Sequence, residues 1–243
     1  MSNKTLRPKI FYIEGNIGSG KTTFIDLLPH YLNKENAGFS YSIVREPVEE
    51  WMSILDENGS DLLSEFYKDQ NKWAFPFQMN SFISRIHAIG KANSFISHKN
   101  SIEDTCKNTN VDIIFVERSV YTDRYCFAEN CYHSGKMRKM EYDIYCKWHD
   151  WLCDTYKTKA SGFIYLKTNP EISFNRINKR LRPGEGGIPL EYLKCLHEKH
   201  NIWLEREEYL GTPVLTIDVT EDFNNKEKMI EFTDKIVSFF NLN

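Results

Sequence analysis

Gly15-Asn-Ile-Gly-Ser-Gly-Lys-Thr22 is the segment that most limits what this chain can become. It fills the pattern G-x-x-x-x-G-K-[ST] completely, directly after the apolar run Lys9–Glu14 and before the helical pattern Thr23-Phe-Ile-Asp-Leu-Leu28. Glycines let successive backbone N–H groups turn inward around a phosphate, and the following helix adds the positive end of its dipole. Residues Gly15, Asn16, Ile17, Gly18, Ser19, Gly20, Lys21, Thr22 and Thr23 are therefore expected to hold the phosphates of ATP or another nucleoside triphosphate. Lys21 would reach the β and γ groups and the Thr22 hydroxyl would ligate Mg²⁺. A strand, a phosphate-binding turn and a helix in that order predict an α/β architecture.

Four further apolar runs read as strands: Tyr41–Glu46, Val111–Glu117, Gly162–Lys167 and Pro213–Asp218. Segments of helical period separate them, among them long amphipathic, aromatic-rich stretches at Asn71–Ser97 and Glu141–Tyr156. Such alternation predicts a parallel sheet with helices on both faces. Asn169 followed by Pro170 is an N-cap with proline in the first helical position. Among 243 residues there is no Pro/Gly/Ser-rich linker, repeat or low-complexity tract, so one domain over 1–243 is expected. The polar stretches Asp56–Asp61 and Glu103–Asn110 read as surface loops.

Composition narrows the function classes. With 41% hydrophobic and 27% charged residues the chain can build a core, which excludes bulk disorder. Thirty-one Lys and Arg against 34 Asp and Glu, net −3, argue against a general nucleic-acid binder. No run approaches the roughly 18 apolar residues of a membrane span, and the first nine residues have no apolar core that would make a secretory signal. A cytoplasmic setting is expected, with mitochondrial and nuclear ones open. The six cysteines show neither C-x-x-C nor zinc spacing and read as reduced thiols.

Chemistry gathers at the strand ends. Pro47 holds Glu46 extended, so Glu46 should project from the sheet's carboxyl edge, where open α/β sheets bind ligands. A carboxylate there can take the proton of an attacking hydroxyl, or it can be a solvated strand end. The third run ends in Glu117-Arg118-Ser119, where phosphate-binding chains of this type place an acidic residue for Mg²⁺. Arg118 would either stabilise charge on a transferring phosphoryl group or pair with Glu117. Arg176, Arg180 and Arg182, with Lys179, form the densest basic cluster. They read as a solvated face or, with Pro183-Gly-Glu-Gly-Gly187 directly after, as a lid over phosphates.

Six segments carry a family pattern: Glu14-Gly-Asn-Ile-Gly-Ser-Gly-Lys-Thr-Thr23, Glu46-Pro-Val-Glu-Glu-Trp51, Trp73-Ala-Phe-Pro-Phe-Gln78, Glu117-Arg-Ser-Val-Tyr-Thr-Asp-Arg-Tyr125, Gly187-Ile-Pro-Leu-Glu-Tyr-Leu193 and Leu196-His-Glu-Lys-His200. The set resembles the deoxynucleoside kinases, the deoxycytidine and deoxyguanosine kinase group in particular, and the match runs from about residue 9 to residue 224. The resemblance implies a P-loop kinase fold, a five-stranded parallel sheet flanked by helices with an Arg-rich lid, and a homodimer. It implies transfer of the γ-phosphoryl group of ATP or another NTP to a deoxynucleoside 5′-hydroxyl, in nucleotide salvage. Carried over by position, Glu46 becomes the general base and Arg118 sits beside the 5′-hydroxyl, with Lys21 and Arg176 completing the catalytic set. Thr22 and Glu117 serve Mg²⁺, and Arg176, Arg180 and Arg182 are the lid arginines. Tyr67 and Glu185 hold the sugar 3′-hydroxyl, Gln78 reads the base edge, Phe127 stacks on the base, and Phe77 lies in the same pocket. Glu191 and Tyr192 match the pattern without an assigned role. At the lid tip the chain departs from the family, with Gly184 and Glu185 where relatives often carry paired acidic residues. Donor-base contacts would lie near Asp222 and Phe223.

Substrate preference follows from the helix after Phe77. Gln78, Ser81 and Arg85 share one face by spacing, and Gln78 offers a base edge one donor and one acceptor. Arg85 on that face needs a carboxylate, for which Asp123 is the candidate; otherwise both are unpaired surface residues. Paired over the base, they would crowd the position where thymine carries its methyl group, and this arrangement resembles that of deoxyguanosine kinases. Deoxycytidine, deoxyguanosine and deoxyadenosine are therefore expected as acceptors, with thymidine disfavoured. Two other readings stay open: a nucleoside monophosphate kinase, because Thr122-Asp-Arg-Tyr125 also resembles a thymidylate kinase motif, and a nucleotide switch protein. Against the switch, none of the Asn-Lys pairs starting at Asn3, Asn33, Asn71, Asn178 and Asn225 continues as Asn-Lys-x-Asp.

Overall fold

The apolar run Lys9–Glu14 forms β1, the central strand of a five-stranded sheet ordered β2-β3-β1-β4-β5 in the computed structural model of the chain. The structure describes residues 8–32, 39–101, 112–180, 182, 184–185, 187–221, 223 and 225–242. The other strands are β2 (Tyr41–Val44), β3 (Ile113–Glu117), β4 (Gly162–Lys167) and β5 (Val214–Asp218), and every pairing is parallel. Helix α1 (Lys21–Tyr31) follows β1. Between β2 and β3 come α2 (Val48–Ser53), α3 (Leu62–Lys68) and α4 (Gln70–Ser101). After β3 the chain runs through α5 (Val120–Thr122), a π-helical turn (Asp123–Ala128), α6 (Glu129–His133) and α7 (Lys139–Tyr156). The remaining helices are α8 (Pro170–Arg180), α9 (Leu190–Tyr209) and α10 (Lys226–Leu242).

Side chains on β1 alternate between two cores, as the period of a strand requires. Ile10 and Tyr12 join Phe82, Val116 and Trp203 on one face, while Phe11 and Ile13 join Phe24 and Ile236 on the other. A parallel strand buried on both faces reads as a continuous apolar run, which is why the strands were visible in the sequence.

Element ends differ from expectation by a few residues. Strand β2 stops at Val44, whose partner is Val116, one residue from the end of β3. Pro47 has no N–H to continue the ladder, so Arg45 and Glu46 leave the sheet toward the crevice at its carboxyl edge. Val111 and the stretch Glu103–Asn110 lie outside the described residues. Pro213 contributes only a carbonyl, to Phe163, and β5 begins one residue later. Helix α4 runs through Pro76 and extends past the predicted Ser97. Helix α7 starts before Glu141, whose carboxylate accepts the Arg138 N–H at 2.8 Å. Asn169 caps α8 as expected, accepting the Glu171 N–H at 3.0 Å.

Asp56–Asp61 is a tight turn held by the Asp56 carboxylate, which accepts from the N–H groups of Asn58 and Ser60. The described cysteines, Cys126, Cys131, Cys146, Cys153 and Cys195, are all free thiols; Cys106 lies outside the described residues. Among the described residues no helix is long and apolar enough to cross a membrane.

Candidate active site

The turn after β1 wraps as its glycines allow. Gly18 has φ +75°, and a Cβ there would stand 2.5 Å from the Ser173 carbonyl, so no other residue fits without displacing α8. Lys21 folds over the turn, its Nζ donating to the carbonyls of Gly15 and Asn16 at 2.9 and 2.8 Å. Burial, reinforced by the Arg118 guanidinium, pulls its ammonium down to about 7. Beside it the Thr22 hydroxyl donates to Glu117 Oε1 at 2.6 Å. These two oxygens suit Mg²⁺, which prefers oxygen ligands, keeps several waters, and binds through one or two carboxylates plus substrate phosphates. Among the described residues no group of three or more His, Cys, Asp or Glu could hold a metal by itself. The donor set fits an ion that shares its coordination with a nucleotide.

From this turn a cleft runs along the carboxyl edge of the sheet. Glu46 stands midway. Its Oε1 accepts from Arg118 Nε at 2.9 Å and from Arg85 Nη2 at 3.0 Å. Burial alone would raise this carboxyl, but Arg118, Arg85 and Lys21 outweigh it and hold it at about 2. Arg118 pairs with Glu46 rather than with its neighbour Glu117, and its Nη1 donates to the Gly15 carbonyl at 3.1 Å. To reach them it adopts φ +64°, a left-handed conformation that costs a side-chain-bearing residue about 1–2 kcal/mol. Its guanidinium lies 4.8 Å from the centre of the Phe127 ring.

At the far end Arg85, 1% exposed, is bound on every side. Nε and Nη2 meet the Asp123 carboxylate at 2.8 and 3.2 Å, Nη1 donates to the Glu117 carbonyl at 3.1 Å, and Nη2 also reaches Glu46. The pairing with Asp123 considered from the sequence is therefore present. Burial pushes the Asp123 carboxyl up, against the pull of Arg85. Gln78 lines the same end, and its buried Nε2 has no hydrogen-bond partner. An unmatched buried donor costs about 1–3 kcal/mol, which a ligand acceptor would remove. The Ser81 hydroxyl turns back to the Gln78 carbonyl at 3.2 Å. Phe77 stacks on Phe66 with centroids 4.4 Å apart.

Tyr67, Arg180, Arg182 and Glu185 close the remaining side. Glu185 is buried between the two arginines, paired with Arg180 and, at 3.1 Å, with Arg182 Nη1. Burial, with the Glu185 charge nearby, pushes the Tyr67 hydroxyl up, so it stays a neutral donor. Leu181, Pro183 and Gly186 of the expected lid lie outside the described residues, as does Asp222. Phe223 packs against Gly20, beneath the phosphate turn.

Of the expected site residues, Gly15, Asn16, Ser19 and Arg176 do not line the cleft; the first three belong to the phosphate turn itself, and Arg176 lies apart from the wall. Its Nη2 donates to the carbonyls of Val219 and Glu221 at 2.9 and 3.2 Å, and its Nη1 approaches the Ser19 carbonyl at 3.4 Å. One helical turn nearer the sheet than Arg180, it reaches the underside of the phosphate turn. Four wall residues had no expected role: Val48, Trp51, Leu63 and Phe66. The signal for them was present, because Trp51 ends the Glu46 motif and Leu63 precedes Tyr67 by one helical turn.

The family model described as deoxynucleoside kinase matches residues 11–240. The chain is 36% identical to the deoxycytidine kinase of Mus musculus, over 98% of this chain and 94% of that protein. It is 35% identical to deoxycytidine kinase 1 of Xenopus laevis, over 98% of this chain and 92% of that one. Against the mitochondrial deoxyguanosine kinase of Xenopus laevis the identity is 32%, again over 98% and 92%.

Proposed function

The chain belongs to the deoxynucleoside kinase family, an enzyme family of nucleotide salvage, and from that premise we propose that its cleft moves the γ-phosphoryl group of ATP, or another NTP, to a deoxynucleoside 5′-hydroxyl. Membership retires the monophosphate kinase and switch readings. The observation that carries the proposal is the order of groups along one cleft: phosphate turn, carboxylate Glu46, then the orphan amide of Gln78 beside Arg85 and Asp123. A nucleotide phosphate at one end and a base edge at the other leave a sugar hydroxyl next to Glu46.

Each residue then has a physical task. Backbone N–H groups of the turn and Lys21 hold the donor phosphates, and phosphates entering there restore the charge on the Lys21 ammonium. Thr22 and Glu117 would hold Mg²⁺, which neutralises charge on the β and γ oxygens when bound. Glu46, ionised throughout the physiological range, accepts the hydrogen bond of the 5′-hydroxyl and takes its proton as the new P–O bond forms and the bond from the γ phosphorus to the β–γ bridging oxygen breaks, the nucleoside diphosphate leaving with that oxygen. A weakly basic carboxylate suffices because the phosphoryl transition state is loose and makes its demand for proton removal late. Arg118 orients Glu46 and faces the negative charge of the reaction. Arg180 and Arg182 approach the phosphates from the lid, where closure would exclude water. Tyr67 and Glu185 take the sugar 3′-hydroxyl, Phe127 stacks on the base, and Gln78 pairs with its edge. Arg176 supports the phosphate turn from beneath.

We further propose that deoxycytidine, deoxyguanosine and deoxyadenosine are accepted and thymidine is disfavoured. The chain acts as a single domain in a homodimer. Ile83 of α4 and Met140, Ile144, Trp148 and Trp151 of α7 are exposed, an apolar and aromatic surface of the kind found at interfaces. Sedimentation at micromolar concentration should show a species of twice 28.7 kDa, and a monomer alone would refute the dimer. Incubating the protein with Mg²⁺-ATP and each of the four deoxynucleosides should yield 5′-monophosphates of the three named. No product from any of them, or thymidine as the best acceptor, would overturn the corresponding part of the proposal.

A further inference from the structure

Glu14, the last residue of β1, is completely buried. Both of its carboxylate oxygens accept from neutral donors: Oε1 from the Ser119 N–H at 2.9 Å and Oε2 from the Thr122 hydroxyl at 2.6 Å. Burying a carboxylate is expensive, on the order of several kcal/mol, and an apolar residue would end a buried strand at less cost. What the carboxylate does there is tie a turn. The Ser119 hydroxyl accepts the Thr122 N–H at 3.1 Å, so Glu14, Ser119 and Thr122 form a closed ring of hydrogen bonds.

That ring sits between two functional side chains. Ser119 directly follows Arg118, whose left-handed backbone must be held by its neighbours. Thr122 directly precedes Asp123, which opens the π-helical turn. Arg118 grips Glu46, and Asp123 grips Arg85, which also grips Glu46. Next to Glu14, the Gly15 carbonyl accepts from both Arg118 and Lys21.

We infer that Glu14 is a positioning residue that sets Arg118 and Asp123 together, so that turnover and base discrimination depend on one buried carboxylate. It touches no substrate. The inference rests on the proposed reading of the cleft, in which Arg118 serves the transfer and Arg85 with Asp123 serves selection.

Thr122→Val, Thr122→Ser and Thr122→Ala proteins, assayed with deoxycytidine and thymidine under saturating Mg²⁺-ATP, test it, with thermal melts reporting the folded fraction. Valine removes the hydroxyl at nearly constant shape and leaves Oε2 of Glu14 without a donor. Turnover should then fall about 10- to 100-fold, the range that a displacement on the order of 1 Å costs. The thymidine-to-deoxycytidine ratio of kcat/KM should rise about threefold or more in the same protein. Thr122→Ser, which keeps the hydroxyl, should restore both, a rescue that loss of folded protein could not imitate. A folded Thr122→Val enzyme with both quantities within about twofold of wild type overturns the inference, as does either quantity moving alone. If the valine variant does not fold, Thr122→Ala, which removes the hydroxyl without adding bulk, carries the test; unchanged kcat and ratio there overturn it equally. Wild-type protein that phosphorylates no deoxynucleoside would instead sink the reading of the cleft, and that control precedes every variant.

Discussion

Exchanging Arg85 and Asp123 together for Met and Ala should open the cleft to thymidine. Arg85 makes four hydrogen bonds: two to Asp123, one to the Glu117 carbonyl and one to Glu46. Arg85→Met alone strands the Asp123 carboxylate, already pushed up by burial, and should destabilise the protein by about 3–5 kcal/mol. Asp123→Ala alone is milder, because the guanidinium keeps Glu46 and the carbonyl; it draws Glu46 toward the base end and lowers kcat. The double variant removes both charges and leaves Glu46 to Arg118. Space for one methyl group is worth about 1–3 kcal/mol, so the thymidine-to-deoxycytidine ratio of kcat/KM should rise roughly 10- to 200-fold. Steady-state kinetics with both nucleosides at saturating Mg²⁺-ATP measures the ratio, and urea titration measures the stability of each variant. An unchanged ratio in the folded double variant would refute selection by this pair. Arg85→Met as stable as the double variant would refute the coupling.

Glu46→Gln should lower kcat by about 10²–10⁴ while deoxynucleoside still binds in a fluorescence titration, and near-normal turnover would remove Glu46 from the base role. Lys21→Ala should also abolish turnover, through loss of charge at the phosphates, with acceptor binding retained. Gly18→Ala should abolish donor binding in a nucleotide titration, because its Cβ would press 2.5 Å from the Ser173 carbonyl at φ +75°. Burial lowers His149 to about 4 and His200 well below its ordinary value. The unfolded chain therefore takes up protons first, near pH 6.5, and stability is lost as pH falls from there toward 4. Unfolding free energies from urea titrations at pH 7 and pH 5 should differ by about 2–4 kcal/mol, and equal or greater stability at pH 5 would contradict this.

The phosphate site and the sheet were legible in the sequence because both are local. Consecutive residues from Gly15 to Thr22 build one turn, and a strand buried on both faces announces itself as an unbroken apolar run. Helix spacing likewise put Gln78, Ser81 and Arg85 on one face before any fold was known. Tertiary structure decided how distant side chains divide their bonds. Arg85 reaches Asp123 38 positions away and Glu46 39 away, so the selecting pair and the catalytic carboxylate share one guanidinium, which no spacing shows. Arg118 had two candidate roles, and only the left-handed backbone at that residue aims it at Glu46, 72 positions away, instead of at its neighbour. Arg176 and Arg180 lie on one helical face, yet the rise of a single turn sends one under the phosphate turn and the other to the cleft. Glu14 was legible only as the end of an apolar run and the first residue of a family segment, and its work became apparent when the fold brought Thr122, 108 positions away, to within 2.6 Å of its carboxylate.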